Sequence, residues 1–167
     1  REAGLYNEHF GYNTLSEAEK KTIVAQFHSD TIASAENDML NVIYEYTAKT
    51  VNGKEVKYLL VALEFGPSAE CIVWAQDIIS QPKYANHRVL FNTHSLIQSE
   101  GIYATKGASG YWGGLTNNTA LDGHQLWSNF ISKNPNMFLC ASGHVSSETV
   151  MRREDKTEYG NNVMSML

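Results

Sequence analysis

The stretch VKYLLVALEFG, residues 56–66, is the part of the sequence on which the fold prediction depends. It is nearly continuous in apolar residues, which is typical of a strand that is buried on both faces of a sheet. An earlier run, residues 40–47, is also rich in strand-forming side chains, and Asn52-Gly53 between the two runs is a strong signal for a hairpin turn. The sequence therefore predicts two paired strands, over 40–47 and 56–64.

After this hairpin, helical and strand patterns alternate. Ser68 is a suitable cap for the next helix, and residues 122–125 form a capping-box pattern that opens another. The predicted elements are a helix over 69–80, a short strand over 88–92, a helix from 122, a strand over 136–142, and strands over 148–153 and 162–167. The order predicts an α/β domain with mixed β-sheet layers flanked by helices, and residues 1–167 are interpreted as a single domain.

The segment before the hairpin is predicted to be helical. Residues 1–10 suggest a short helix, and Ser16–Glu19 is a capping box in which serine and glutamate satisfy each other's backbone amides. The second helix is expected to run to about Ser29, with Ile23 and Phe27 on its inner face.

The composition is that of a globular protein, and its charge argues against nucleic-acid binding. The 167 residues include 13 Lys and Arg against 18 Asp and Glu, a net charge of −5. A nucleic-acid surface needs clustered basic residues, so no such partner is expected. No apolar stretch approaches the ~18 residues that a membrane-spanning helix needs. Cys71 and Cys140 are expected to be buried thiols.

Two of the six histidines stand out by their position. The other four lie in polar segments or a first helical turn and are expected at the surface: His9, His28, His87 and His124. His94 and His144 each follow a predicted buried strand, and ligands of open α/β sheets gather at the carboxyl ends of strands. Neutral imidazole is the commonest metal ligand, but two histidines alone do not close a metal site. Position alone therefore leaves open whether they are ligands or satisfied polar residues.

Four stretches of sequence, which we call landmarks, occur in order along the last two thirds of the chain. They are LEFGP at 63–67, RVLFNTHSLI at 88–97, DGHQLWSNFISKNPNMFLCASGHV at 122–145 and GNNVMSML at 160–167. Their order and spacing resemble the carboxyl-terminal half of calcineurin-like metallophosphoesterases, the superfamily that includes purple acid phosphatases. Bacterial, often exported, members are the most similar. The resemblance covers about residues 55–167 and is most specific over 121–145.

The resemblance implies a fold and a metal site. The chain would be an incomplete, carboxyl-terminal portion of a four-layer αββα sandwich that holds two metal ions, Fe, Zn or Mn, between two half-sites. His94 and His144 would bind the same ion. Ser146 stands where the family has its last histidine, so one of the family's metal ligands is replaced at this position. The family's amino-terminal Gly-Asn-His does not occur in this sequence, and the one Asp-x-His, Asp122-Gly123-His124, lies within the third landmark and not upstream of His94 as in the family.

A glycine-rich segment over 101–114 is predicted to be a long loop between the two histidine strands. Its aromatic residues, Tyr103, Tyr111 and Trp112, are candidate substrate-binding side chains. The alternative is that they pack the loop onto the sheet. Glu64, at the end of its strand, is a candidate partner of a metal ligand, or a structural residue of the turn before Pro67.

The function that the resemblance implies is hydrolysis of a phosphate ester by a metal-activated water in the complete protein. This chain alone is expected to bind metal weakly and to show no appreciable hydrolysis. Expected partners are the ester and either the amino-terminal half of the same polypeptide or another copy of the chain. The family likeness favours an exported or cell-surface bacterial protein. Two alternatives stay open: a degenerate, non-catalytic phosphoesterase fold used for binding or as a scaffold, and a small α/β domain with incidental histidines.

Overall fold

The computed structural model describes residues 8–28, 38–106, 120–145 and 150–167. In these residues the chain builds a seven-stranded mixed sheet with the order β1-β2-β3-β4-β5-β7-β6. The strands are β1 Ile23–Gln26, β2 Val42–Lys49, β3 Glu55–Ala62, β4 Arg88–Asn92, β5 Met137–Ala141, β6 Arg152–Lys156 and β7 Asn162–Met166. The helices are α1 Glu17–Lys20, α2 Ala69–Ile79 and α3 Gly123–Asn129, with short 3-10 turns at Tyr12–Thr14, Pro82–Tyr84 and Ile131–Lys133.

The predicted α/β class and mixed sheet are confirmed. β2 and β3 pair antiparallel around a turn in which Gly53 has a φ of 76°, as the Asn-Gly signal predicts. β3, β4, β5 and β7 then run parallel, while β1 and β6 are antiparallel edge strands. The carboxyl ends of the four central strands therefore lie along the same edge of the sheet.

Both longer helices pack on the same face of the sheet. Ser68 caps α2 by accepting from the Cys71 N–H, and the Asp122–Gln125 capping box opens α3, both as predicted. Apolar strand residues meet them in one core, where the rings of Phe91 and Phe130 lie edge to face with centroids 5.5 Å apart. Other core residues are Leu59, Val61, Val89, Ile72, Ala75, Leu126 and Met137.

Gly123, the first residue of α3, is required by a close backbone approach. A Cβ at this position would lie 2.0 Å from the Leu96 carbonyl oxygen and 2.9 Å from the Ala104 nitrogen. Those two atoms form a backbone hydrogen bond of 2.9 Å, which holds together the loop that follows β4. Only glycine lets the helix begin against this bond.

We expect Gly123→Ala to destabilise the domain by about 3 kcal/mol, because the methyl group must push the backbone of the loop away from the helix. Urea unfolding monitored by circular dichroism would measure the loss. Gly143→Ala is the matched control, since a Cβ there meets nothing within 4 Å. Equal stabilities for the two variants would show that the loop yields at little cost.

The predicted helix from Ser16 to Ser29 is wrong beyond its first turn. The capping box forms as predicted, but α1 ends at Lys20 and Ile23–Gln26 is strand β1, paired with β2. β-branched residues favour this outcome, because they pack well on a pleated surface once a partner strand is present. Of the predicted helix over 1–10, residues 8–10 are helical and the rest lies outside the described residues.

Three further expectations need correction. β3 is fully buried on one face only, since Leu59 and Val61 are inaccessible while Tyr58, Leu60 and Ala62, which alternate with them, are partly exposed. β6 spans 152–156, not 148–153, because the turn at 157–160 sets its register against β7. His87 is 4% exposed and its Nε2 lies 2.8 Å from Glu45 Oε1, so it is not a surface residue.

The opposite face of the sheet is apolar and lies partly open within the described chain. Tyr46 and Tyr58 stack across β2 and β3 with centroids 5.3 Å apart, and Phe138 packs beside Tyr58. The other apolar residues of this face, all partly accessible, include Tyr44, Leu60, Leu90 and Met164. We call this surface the open sheet face.

Both cysteines are buried free thiols, as predicted, and burial raises the pKa of each to about 12. Within the described ranges, no helix has the length and apolar character needed to cross a membrane.

Candidate metal centre

The two histidines predicted at strand ends are brought together. β4 and β5 are adjacent and parallel, with Asn92 opposite Ala141 at their carboxyl ends. Beyond the strands the two segments remain joined, because the Gly143 N–H donates to the His94 carbonyl over 3.0 Å. The side chains of His94 and His144 therefore meet above the edge of the sheet, as the order of strands predicts.

The facing atoms of the pair are His94 Nε2 and His144 Nδ1, 3.0 Å apart. The ring centroids are 4.8 Å apart and the planes are inclined at 71°. Two nitrogens that bind one ion at about 2.1 Å stand about 3.0 Å apart at a right angle and about 3.4 Å apart at the tetrahedral angle. The separation thus suits either a shared hydrogen bond, in which one ring donates, or two ligands of one metal ion.

His144 has a backbone conformation that is rare for a residue with a side chain. Its φ is 74°, and the Val145 N–H donates to the Gly143 carbonyl across it at 2.9 Å. This is the γ-turn with positive φ, which is uncommon and strained. A strained non-glycine residue is often retained where its side chain has a function.

We expect His144→Gly to be more stable than His144→Ala by about 1 kcal/mol, because glycine adopts positive φ without a Cβ clash. Chemical denaturation of both variants would measure the difference. The matched pair is His94→Gly and His94→Ala, where φ is not positive and the order should reverse. If alanine is the better residue at 144, the turn is not strained in solution.

Phe65 forms an aromatic wall against both imidazoles. Its ring stacks on that of His144, with centroids 5.0 Å apart and planes 27° apart, and meets that of His94 edge-on at 5.5 Å. Contact on two sides limits the rotations available to the imidazoles. The facing nitrogens are therefore held in place by packing as well as by their own interaction.

The electrostatics of the site favour the neutral form of His144. Burial lowers the pKa of His144, and the neighbouring His94 lowers it further because two imidazolium charges repel. A lowered pKa keeps the ring unprotonated to a lower pH than usual, and the neutral ring is the form that binds a metal ion.

A groove of about 490 Å³ adjoins the pair. Its walls come from the ends of β3, β4 and β5 and from the residues before β2; they include Leu40, Glu64, Phe65, Asn92, His94 and Ser142. Glu64 is half-buried here. Its backbone N–H donates to Asn41 Oδ1 at 3.1 Å, and Asn41 Nδ2 donates to its Oε1 at 3.2 Å.

The described residues do not complete a metal site on their own. Among them, no three His, Cys, Asp or Glu side chains converge as a ligand set. Ser146, which stands where the resembling family has its last histidine, lies outside the described residues, as do Tyr111 and Trp112. Further ligands would therefore have to come from elsewhere than the described part of this chain.

Tyr103 has the packing environment that the sequence left as an alternative. The side chain is 8% exposed, and its ring stacks on Trp127 with centroids 5.3 Å apart. Its hydroxyl donates to Asp155 Oδ2 at 2.9 Å, and the Arg153 guanidinium lies 4.2 Å from the ring centroid. These contacts tie the loop after β4 to β6 and leave little of the ring for a ligand.

Sequence reasoning missed two residues of the site. Phe65 lies within the LEFGP landmark, but nothing in that motif indicates contact with the histidines. Asn41 lies before β2, and only the hairpin register, with Val42 opposite Ala62, brings it near Glu64.

Comparisons of the chain with protein-family models, with curated proteins and with solved structures gave no match.

Proposed function

We propose that this chain is the carboxyl-terminal half of a metal-dependent phosphoesterase. The observation that carries the proposal is the placement of His94 Nε2 and His144 Nδ1 3.0 Å apart, above the ends of two adjacent parallel strands. The strained turn at His144 supports it, since a residue held at positive φ suggests a selected side chain.

The open sheet face also supports the half-domain interpretation. Sheets that are apolar on both faces need a covering layer on each, and helices α2 and α3 lie on one face only. A second sheet, as in a four-layer αββα sandwich, would bury Tyr46, Tyr58 and Phe138. That layer would come from the amino-terminal half of the same polypeptide or from association of two copies.

In this proposal the chain's residues hold one ion of a pair. His94 would bind through Nε2 and His144 through Nδ1, so each ring would carry its proton on the other nitrogen, and Phe65 would hold the two ring planes. Imidazole ligands suit Zn, Fe and, with carboxylates, Mn. When bound, the ions would supply Lewis-acid activation of a phosphoryl oxygen and of the attacking water. The remaining ligands and the general acid would lie in the other half.

A second candidate is a phosphoesterase-like fold that binds without catalysis. The observation in its favour is Ser146, which replaces the last histidine of the resembling motif. Hydrolysis of a phosphate ester by the chain joined to its upstream half would exclude this candidate.

Zn²⁺ titration by calorimetry tests the half-site. We expect the chain to bind about one ion weakly, and His94→Ala and His144→Ala each to abolish binding, because one imidazole does not hold the ion. The double variant should lose no more than either single one. Affinity should fall as the pH falls, since each ligand must be neutral, and p-nitrophenyl phosphate should not be hydrolysed by the chain alone.

His124→Ala is the matched control, because His124 is exposed on α3. If the unmodified chain, His94→Ala and His144→Ala all bind Zn²⁺ with the same affinity, the half-site is refuted.

We expect Phe65→Leu to weaken Zn²⁺ binding roughly 10-fold, because the imidazoles lose the wall that orients them, an effect comparable to the loss of a partner that orients a metal ligand. The same calorimetric titration measures it. Phe138→Leu removes an aromatic ring from the open sheet face and should leave the affinity unchanged. The wall has no orienting role if the two leucine variants behave alike.

A further inference from the structure

The groove beside the histidine pair has a chemical character of its own. It is a concave space of about 490 Å³, within the size range of small-molecule sites, and His94 forms part of its wall. In the proposed function, the organic part of an ester whose phosphoryl group lies at His94 has room to extend into this groove. The groove is then the place for the leaving group of the ester in the proposed function.

One hydroxyl of the groove lining, that of Ser142, is partly exposed and can offer an acceptor oxygen to a ligand. Thr93 is only 2% exposed, and its Oγ1 donates to the Glu64 carbonyl at 2.8 Å, so its hydroxyl supports the backbone of Glu64 and is not presented to a ligand. Ser142 Oγ donates to the Met166 carbonyl at 3.2 Å. While its hydrogen is donated to this carbonyl, the Ser142 oxygen keeps lone pairs that can accept from a ligand.

Glu64 adds a carboxyl group in a fixed orientation. Asn41, only 2% exposed, accepts a hydrogen bond from the backbone N–H of Glu64 and donates one to its Oε1. Of the described residues, none donates a hydrogen bond to Oε2. Burial raises the pKa of Glu64, the hydrogen bond from Asn41 opposes that rise, and the charge of Asp38 adds to it. A bound cation would stabilise the charged carboxylate against both its burial and the repulsion from Asp38.

The described lining contains no lysine or arginine. An anionic group would meet the Glu64 carboxylate and the Ser142 oxygen without a positively charged side chain in the described lining. A group that donates hydrogen bonds and carries positive charge would find the Glu64 carboxylate and the Ser142 oxygen as acceptors. Leu40 and Phe65 supply apolar surface for the carbon atoms that link such a group to the ester.

We propose that the groove binds an ammonium group, which makes phosphate esters of amino alcohols the substrate class. As a statement about substrates this rests on the proposed function. As a statement about binding it depends only on the groove, and Glu64 is its specificity-determining residue.

The test uses the full 167-residue chain in EDTA, so that metal binding plays no part. Ethanolamine, ethylene glycol and glycolate are comparable in size and carry a positive, no and a negative charge. NMR titration of each ligand should show ethanolamine binding most tightly and glycolate most weakly. Glu64→Gln should weaken ethanolamine binding roughly 10-fold or more, the loss of one charge-assisted hydrogen bond, and should not weaken ethylene glycol binding. Glu154→Gln, on the exposed side of β6, is the matched control and should behave like the unmodified chain.

Two results would overturn the inference: ethanolamine binding that is unchanged in Glu64→Gln, or glycolate binding as tight as ethanolamine binding. Amide spectra of the variants establish that they are folded. A second arm adds Zn²⁺ and compares O-phosphoethanolamine with methyl phosphate. A preference for O-phosphoethanolamine that disappears in Glu64→Gln supports both proposals. If Zn²⁺ changes neither affinity while the preference for ethanolamine persists in EDTA, the metal site fails and the ammonium site stands.

Discussion

The parallel pairing of β4 and β5 is the constraint on which the site depends. It aligns two strand ends, and the hydrogen bond from the Gly143 N–H to the His94 carbonyl, 3.0 Å long, continues the alignment past the last strand residues. Without that bond the two segments could diverge, since both lie beyond the last paired residues of their strands. With it, the two histidines lie on neighbouring segments of the chain, and their rings are about as close as packing allows.

This alignment has a conformational cost, which the surrounding structure must offset. His144 occupies positive φ, a conformation that costs a residue with a Cβ about 1–2 kcal/mol. The turn is held on one side by its hydrogen bond to the His94 segment and on the other by the stacking of Phe65 on the imidazole ring. Strain and packing together give the ring a defined direction, which a flexible glycine-rich turn would not.

The sequence predicted the parts of the fold that depend on local patterns. The Asn52-Gly53 turn, the caps at Ser68 and Asp122, and the convergence of His94 with His144 follow from turn chemistry, capping and strand order. What it could not predict depends on tertiary pairing. The segment from Ile23 follows a sound capping box, yet becomes a strand because β2 offers an edge. Asn41 reaches Glu64 only through the hairpin register, and Phe65 reaches the histidines only through the fold.

The alternation of β4 connects the histidines with the open sheet face. Phe91, Thr93 and Ser95 are buried on the helix side, whereas Asn92 and His94 are exposed. Because side chains alternate along a strand, His94 continues the row that contains Leu90 and points to the same side as the open face. Any layer that covers this face must therefore also approach the histidine pair. In the proposed enzyme, burial of the apolar surface and completion of the ligand set would be one event, so the metal site and the stability of the sheet would be gained together.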